Sequence, residues 1–407
     1  MIKKFLGSEF GKGAIILFVM MNFANLLNFI FHFLMGRMLG PVHYGTLAVL
    51  MSLMYIYSIP VESIQNLISR YVTRFNLNKE HGKIKFLIVK SLKKGFIFSL
   101  TIFAILIPIS FFISKFLDIN FWLIIVTNIF IFSAFSIPIT KGTLQGRKKF
   151  SLFGGSLVIE SFIKISVGVF LVVLGMQVFG AIVGVLVSAF IGILISIYFN
   201  WDLFKHKKEE VKFREIYTQS IPYFITTIVI LLVFSLDIIL AKRFFSAETA
   251  GKYAVLSMLG KMIFFATMSI SKAMFPLTSE KCDNGEDSKK LFRKSILMIS
   301  LICVGVVLAF AIFPKLIILI LYGSQYVDMA QYLVYSGIAF SFLALNNLIL
   351  IYGLSINKLK KSGFLFVFLL IEIILLSVFH DNILEYILAF MFSNIVMFIG
   401  SLFLVKK

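Results

Sequence analysis

Long apolar runs separated by short polar stretches fill this chain from end to end, and each run is about as long as a helix that crosses hydrocarbon. Such a helix rises 1.5 Å per residue through roughly 30 Å, so it needs about 20 residues, and it satisfies its backbone polar groups internally. The pattern predicts twelve membrane helices, near residues 14–36, 45–69, 95–115, 121–140, 152–174, 179–200, 217–241, 251–275, 295–322, 327–352, 362–380 and 383–404.

The polar breaks carry a second signal. With the N-terminus on the cytoplasmic side, thirty of the 39 Lys and Arg fall in cytoplasmic segments and six (Arg37, Lys115, Lys242, Arg243, Lys252 and Lys315) in outer loops. Cations gather in the cytoplasmic loops of membrane proteins, so both termini are expected inside, and an odd helix count would scramble the alternation.

A third signal is an internal repeat. At an offset of 206, Arg37 falls on Arg243, Gly45 on Gly251, and Ala48, Val49 and Leu50 on Ala254, Val255 and Leu256. At 211 to 212, Gly142 meets Gly353 and Glu160 meets Glu372. Six helices per half is an even number, so both halves enter from the same side. The expectation is an all-α polytopic fold of two six-helix bundles related by a pseudo-twofold axis along the membrane normal. The first lobe is placed at 1–204, a cytoplasmic linker at 205–216 and the second lobe at 217–407.

Composition agrees with lipid as the solvent. Of 407 residues 60% are hydrophobic and 14% charged, against roughly 25% charged in a soluble domain. The net charge of +20 does not point to nucleic acid, because the basic residues sit between apolar runs instead of on one folded polar face. Cys282 and Cys303 lie in a charged loop and an apolar run, poor placing for a disulfide or a metal site. The basic start, Met1 to Lys12, leads into an apolar run with no small-residue cleavage site after it, which reads as an uncleaved first helix. There is no phosphate-cradling glycine loop, metal-ligand cluster or nucleophile elbow, so a transporter without a cofactor is favoured over an enzyme.

Polar side chains inside the bilayer cost about 3 kcal/mol each when charged, and they persist where they face a cavity or a partner. In the first helix Asn22, Asn25, Asn28 and His32 share about 120° of arc, and in the second Ser58, Glu62, Gln65 and Ser69 share about 60°. The seventh aligns Gln219, Thr226 and Asp237, and the eighth places Ser257, Lys261, Met268 and Lys272 on one side. These repeat-related helices are expected to line a wet cleft between the halves. Glu160 and Lys164 stand four residues apart in the fifth helix and read equally as a self-neutralising pair; Glu372 lies in the eleventh. Asp237 reads as an outer-end acid able to pair with Lys242 or Arg243, whereas Lys261 has no acid one turn away. The basic run from Arg70 to Lys94 reads as a linker against anionic headgroups.

Three stretches carry a family likeness. The segment Gly36-Arg37-Met38-Leu39-Gly40-Pro41-Val42-His43-Tyr44-Gly45 resembles the entry signature of the polysaccharide-transport flippases. The run Gly142-Thr143-Leu144-Gln145-Gly146-Arg147-Lys148-Lys149-Phe150 is similar to that family's loop after its fourth helix, and Asp237 through Gly251-Lys252-Tyr253-Ala254 to its seventh-to-eighth segment. The resemblance implies the two-lobed fold of the multidrug and polysaccharide exporter superfamily, in a bacterial inner membrane. It implies as substrate an undecaprenyl-pyrophosphate-linked oligosaccharide handed on for polymerisation, with a polymerase and a chain-length regulator as partners of a monomer. In such a protein Lys261, Lys164, Lys272 and Arg37 would offset the phosphate charge, with Asn25 and Gln65 beside them. Glu62, Asp237, Glu160 and Glu372 would hold a proton or sodium ion whose gradient biases the cycle. A drug or cation antiporter of the same superfamily and a membrane glycosyltransferase or polymerase remain as alternatives.

Overall fold

The computed structural model describes residues 9–210, 221–356, 358, 359 and 362–406, and among them it is helical with no strand. Its α-helices are α1 (Glu9–Tyr57), α2 (Ile59–Leu77), α3 (His81–Leu117), α4 (Phe121–Asn128), α5 (Phe130–Gly146), α6 (Phe150–Leu171) and α7 (Gln177–Tyr198). After them come α8 (Ile221–Phe244), α9 (Ala247–Asp283), α10 (Lys289–Ile312), α11 (Pro314–Leu321), α12 (Leu333–Ser355), α13 (Leu365–Val378) and α14 (Ile383–Lys406).

Nine described helical stretches are long and apolar enough to cross a membrane, and two of them hold two passes each. In Ile16–Leu77 the chain reverses at Gly40, whose φ of +69° suits glycine, and Pro41 follows where no backbone donor is needed. In Phe150–Tyr198 the break is a π turn containing Gly175 at φ +86°. With the shorter apolar helix Ser362–Val378, the described residues make twelve passes, as the sequence predicts.

Element ends differ from the sequence reading, for local reasons. The basic run Lys83–Lys94, read as a surface linker, forms the first turns of α3, because long lysine stems cover apolar surface while their ammonium groups reach outward. The ninth pass, read as ending at 322, stops at Ile312; Pro314 cannot continue the hydrogen-bond ladder and opens α11 instead. Pro60 lies in the first turn of α2 after a break at Ser58, a position where its missing N–H costs nothing.

Of the described residues, 9–35 and 53–210 form one compact unit, and Gly36–Ser52 with those from 221 onward form the other. Relative to lobes divided at 204 and 217, the segment Gly36–Ser52 therefore packs with the second unit. The linker placed at 205–216 begins at the end of the 3-10 turn Trp201–Lys205, and its residues 211–216 lie outside the described residues.

In the first unit α2 packs on α5 and α6 on α7. Glycines permit the close approach: a Cβ at Gly142 would stand 2.8 Å from the Gln65 carbonyl oxygen, and one at Gly184 would stand 2.6 Å from the Gly168 Cα. Ile68, Val72, Phe75, Ile84, Leu87, Ile88, Ile139 and Leu203 fill the core beside them. In the second unit α12 is central, packed by α9, α10 and α14, and its small and amide side chains Ser336, Gly337, Ala339, Asn346 and Asn347 are buried. By contrast α3 and α10 leave Phe96, Phe98, Phe112, Leu297, Leu301 and Leu308 open, the surface expected to meet acyl chains.

Candidate functional site

Two buried charged constellations lie in the described residues, one in each unit. In the second unit Tyr253, Ser257 and Lys261 are spaced by four along α9, so all three project from one face, and all three reach Asp237 on α8. The Lys261 ammonium stands 3.3 Å from Asp237 Oδ1, and both residues are essentially sealed, at 1% and 0% side-chain exposure. Tyr253 donates to Oδ2 at 3.3 Å and Ser257 donates to the same oxygen, while the Tyr386 hydroxyl donates to the Asp237 backbone carbonyl at 2.7 Å. The ammonium also lies 4.6 Å from the Phe234 ring centre. Glu372 of α13 is buried within electrostatic reach of both charges, and its Oε1 has no hydrogen-bond partner. Two carboxyl groups thus face one ammonium.

The first unit reverses that balance. Glu160 does not pair with Lys164, one turn along α6. Its Oε2 instead accepts from Lys141 of α5 at 2.7 Å. Lys164, also buried, donates to Asn28 Oδ1 and lies 4.8 Å from the Phe31 ring centre. His32 meets the same ring edge-on at 5.8 Å. Asn25, Asn28, Glu160 and Lys164 line one cavity of about 320 Å³ within this unit.

The remaining expected residues are placed elsewhere. Arg37 is exposed and donates to the carbonyls of Leu319, Ile320 and Leu321 at the C-terminal end of α11. Gln65 donates to Gln145 Oε1 at 2.9 Å. Glu62 is half-buried in the first turn of α2, and Lys272 is exposed on α9. Asp237 pairs with Lys261 and not, as the sequence suggested, only with the neighbouring Lys242 or Arg243. Lys141 lies one residue beyond the fourth pass that the apolar run predicts, 121–140; α5 runs on to Gly146 and carries Lys141 into the bundle.

The three signature stretches are largely helical, and hydrogen bonds and ion pairs tie each one down. In the first, Tyr326 donates to the Gly36 carbonyl at 2.8 Å, and Tyr44 and Tyr322 hydroxyls meet at 3.2 Å. In the third, Lys252 bridges Glu248 and Asp328 at 2.9 and 2.8 Å. In the second, Arg147 donates to Asn200 Oδ1 and to both carboxylate oxygens of Asp202, tying the loop after α5 to the end of α7.

These Arg147 hydrogen bonds hold the Asp202 carboxyl down at about 2. A depressed acid contributes stability above its unfolded pKa of about 4 and loses it as pH falls through its folded value. Asp202 is half-exposed, so Asp202→Asn is expected to cost under about 1 kcal/mol at pH 7, with the deficit vanishing towards pH 2. Thermal unfolding of the pair of proteins across that range reads it, and a deficit that persists at pH 2 would refute the assignment.

The family model described as "Polysaccharide biosynthesis protein" matches residues 34–331. The chain belongs to the polysaccharide biosynthesis protein family. All three signature stretches lie within that match. Among curated proteins no sequence match is found. Among solved structures, this family member resembles an inward-facing multidrug resistance MATE family transporter of the MOP superfamily, with TM-score 0.74, 16% identity and 97% and 98% of the two chains covered. A MATE protein in complex with MaL6 matches with TM-score 0.69, 15% identity and coverage of 99% and 98%. A MOP superfamily transporter from Pyrococcus furiosus, described as having a binding pocket of reversed polarity, matches with TM-score 0.66, 16% identity and coverage of 99% and 97%. At these identities the likeness establishes the fold: this polysaccharide biosynthesis protein is a multi-pass membrane protein with the MATE transporter architecture.

Proposed function

We propose that the chain is a flippase carrying an undecaprenyl-pyrophosphate-linked oligosaccharide, an O-antigen or capsule repeat unit, from the cytoplasmic to the outer leaflet of a bacterial inner membrane by alternating access. The observation that carries this reading is the buried ammonium of Lys164, which faces a cavity with a neutral amide as its hydrogen-bond partner, in a member of a polysaccharide biosynthesis family. A buried cation whose hydrogen bond goes to a neutral amide, the nearby Glu160 being taken by Lys141, suits an anionic cargo. Lys261 is already held by Asp237 and Arg37 by helix carbonyls, so Lys164 is the substrate cation this reading favours, with Asn25 beside it. Gln65 and Lys272 are secondary.

Coupling falls to the second unit in this proposal. Asp237 and Glu160 each hold an internal ammonium, whereas Glu372 keeps a free oxygen next to the Asp237–Lys261 pair and is the group assigned to take up the coupling proton. Glu62 remains a second candidate for that role.

Deletion of the gene is expected to strand lipid-linked oligosaccharide on the inner face, with the parent chain restoring export. Glu372→Gln is expected to be inserted normally yet to fail to restore it. Export that continues unchanged in the deletion strain would sink the flippase reading, and full rescue by Glu372→Gln would remove Glu372 from coupling. The alternative, a drug or cation antiporter, is favoured by the multidrug transporters among the similar folds and by the acid surplus in the second unit. It predicts altered drug susceptibility on overexpression with no change in lipid-linked oligosaccharide.

A further inference from the structure

The first turns of α10 gather positive charge at the edge of a lipid-open surface. Lys289, Lys290, Arg293 and Lys294 are all exposed, and with Asp287 and Leu297 they line a cavity of about 460 Å³. Among the described residues none of the four cations is in an ion pair; the pair nearest in sequence joins Lys281 to Glu286. Asp287 accepts the Lys289 backbone N–H on Oδ1 at 2.9 Å. Four cations against one acid leave the cavity with a surplus of three positive charges.

The register of α10 sets these charges above an apolar stripe. At about 100° per residue, Lys290, Arg293, Lys294, Leu297, Leu301, Val304 and Leu308 fall within about 100° of arc. The four apolar members are each more than half exposed. The opposite face of the helix carries the buried Ser295, Ile299, Cys303 and Phe310, and α10 packs there on α9 and α12. From Leu297 to Leu308 the stripe rises about 17 Å, close to half of the roughly 30 Å hydrocarbon thickness. One face therefore presents a cationic cluster and, one turn further on, an acyl-compatible surface a single leaflet deep.

That combination matches an amphiphile with an anionic head. A free phosphate would use the cations and leave the stripe idle. A zwitterionic headgroup brings its own cation into a cluster that already has three too many. A headgroup with one phosphate matches only one of the surplus charges, and two phosphates match two. Arg293 adds a planar fork suited to bidentate phosphate contact.

We propose that this end of α10 is a binding site for a glycerophospholipid carrying two phosphates, held by Lys290, Arg293 and Lys294, with its acyl chains lying along Leu297, Leu301, Val304 and Leu308. Basic pockets beside membrane helices recognise such headgroups by charge. The site lies on the lipid-facing side of the second unit and is independent of what the chain transports.

The test is native mass spectrometry of the purified full chain released from detergent, titrated with cardiolipin, phosphatidylglycerol or phosphatidylcholine. Cardiolipin is expected to bind at least about tenfold more tightly than phosphatidylcholine, with phosphatidylglycerol between them. Lys290→Gln combined with Arg293→Gln is expected to weaken cardiolipin about tenfold or more, and Lys294→Glu to give a similar loss. Lys93→Gln combined with Lys94→Gln removes the same charge from exposed positions on α3 and is expected to leave cardiolipin binding unchanged. Inorganic pyrophosphate and farnesyl diphosphate at equal concentration are expected to leave cardiolipin bound. No preference for cardiolipin over phosphatidylcholine, or an equal loss in the α3 and α10 variants, would reduce the cluster to general surface charge and overturn the site. Displacement by pyrophosphate would make it a free-phosphate site and displacement by farnesyl diphosphate a prenyl diphosphate site, and either result overturns the phospholipid assignment.

Discussion

Lys261→Met is expected to destabilise the second unit by about 3–5 kcal/mol, because it strands the Asp237 carboxylate in a sealed interior beside Glu372. The pair itself need not be strongly stabilising, since taking two charges out of water or headgroup cancels much of their attraction. What is costly is the half-broken pair. The double variant Asp237→Asn with Lys261→Met is therefore expected to recover most of the loss, because an amide at 237 can still accept from Tyr253 and Ser257 without a charge. Thermal denaturation of the four proteins in detergent measures the coupling. If the single variant is as stable as the parent, or the double variant is worse than the single, the buried pair is not the organising interaction described.

The second large effect belongs to Gly251. A Cβ at that position would lie 1.8 Å from the backbone oxygen of Pro41, and a Cβ at Gly45 would lie 2.7 Å from the Gly251 Cα. Backbone cannot rotate aside as a side chain can, so Gly251→Ala must push the start of α9 off the segment after Gly40. Overpacking of a core by one methyl costs about 1–3 kcal/mol, and a backbone collision belongs at the top of that range or above it. Gly251→Val is expected to abolish recovery of folded protein by size-exclusion chromatography, with Gly251→Ala recovered at a lowered melting temperature. Gly155→Ala is the contrasting case, because its added methyl meets nothing within 4 Å and replaces glycine inside α6. That change should be neutral or stabilising by about 0.5–1 kcal/mol. Equal behaviour of the Gly251 and Gly155 variants would contradict the close packing.

The Gly45 and Gly251 pair also explains a feature of the repeat. The two residues align at an offset of 206, and the structure brings them into direct contact within the second unit. The sequence marks such a position only as a recurring glycine. That the two recurrences touch each other is a fact of packing, which no periodicity encodes.

Sites were less legible than spans, and the reason differs from residue to residue. Glu160 and Lys164 sit at the spacing of an intrahelical pair, yet Lys141 claims the acid from the neighbouring helix at 2.7 Å, while Lys164 donates to Asn28 of α1. Lys261 has no acid one helical turn away in the sequence. Its partner is 24 residues back, across the turn capped by Ser246, whose side chain accepts from the Thr249 backbone N–H at 3.2 Å. Arg37 reads as a substrate cation in the sequence and is a helix cap in the structure, since the carbonyls of Leu319, Ile320 and Leu321 come within its reach only where α11 stops at Leu321.

What the sequence settled by itself is whatever follows from the one-dimensional pattern. Apolar runs of spanning length, the repeat and the signature stretches gave twelve passes, a MATE-like helical architecture and the family, because bilayer thickness and backbone hydrogen bonding constrain each segment separately. Tertiary structure alone decided which buried charges neutralise one another, leaving two carboxyl groups around Lys261 and an ammonium at Lys164 whose hydrogen bond goes to a neutral amide. Such pairing depends on distances of 3 to 4 Å between helices distant in sequence, and in a medium without water those few ångströms determine whether a charge is satisfied or left for a ligand.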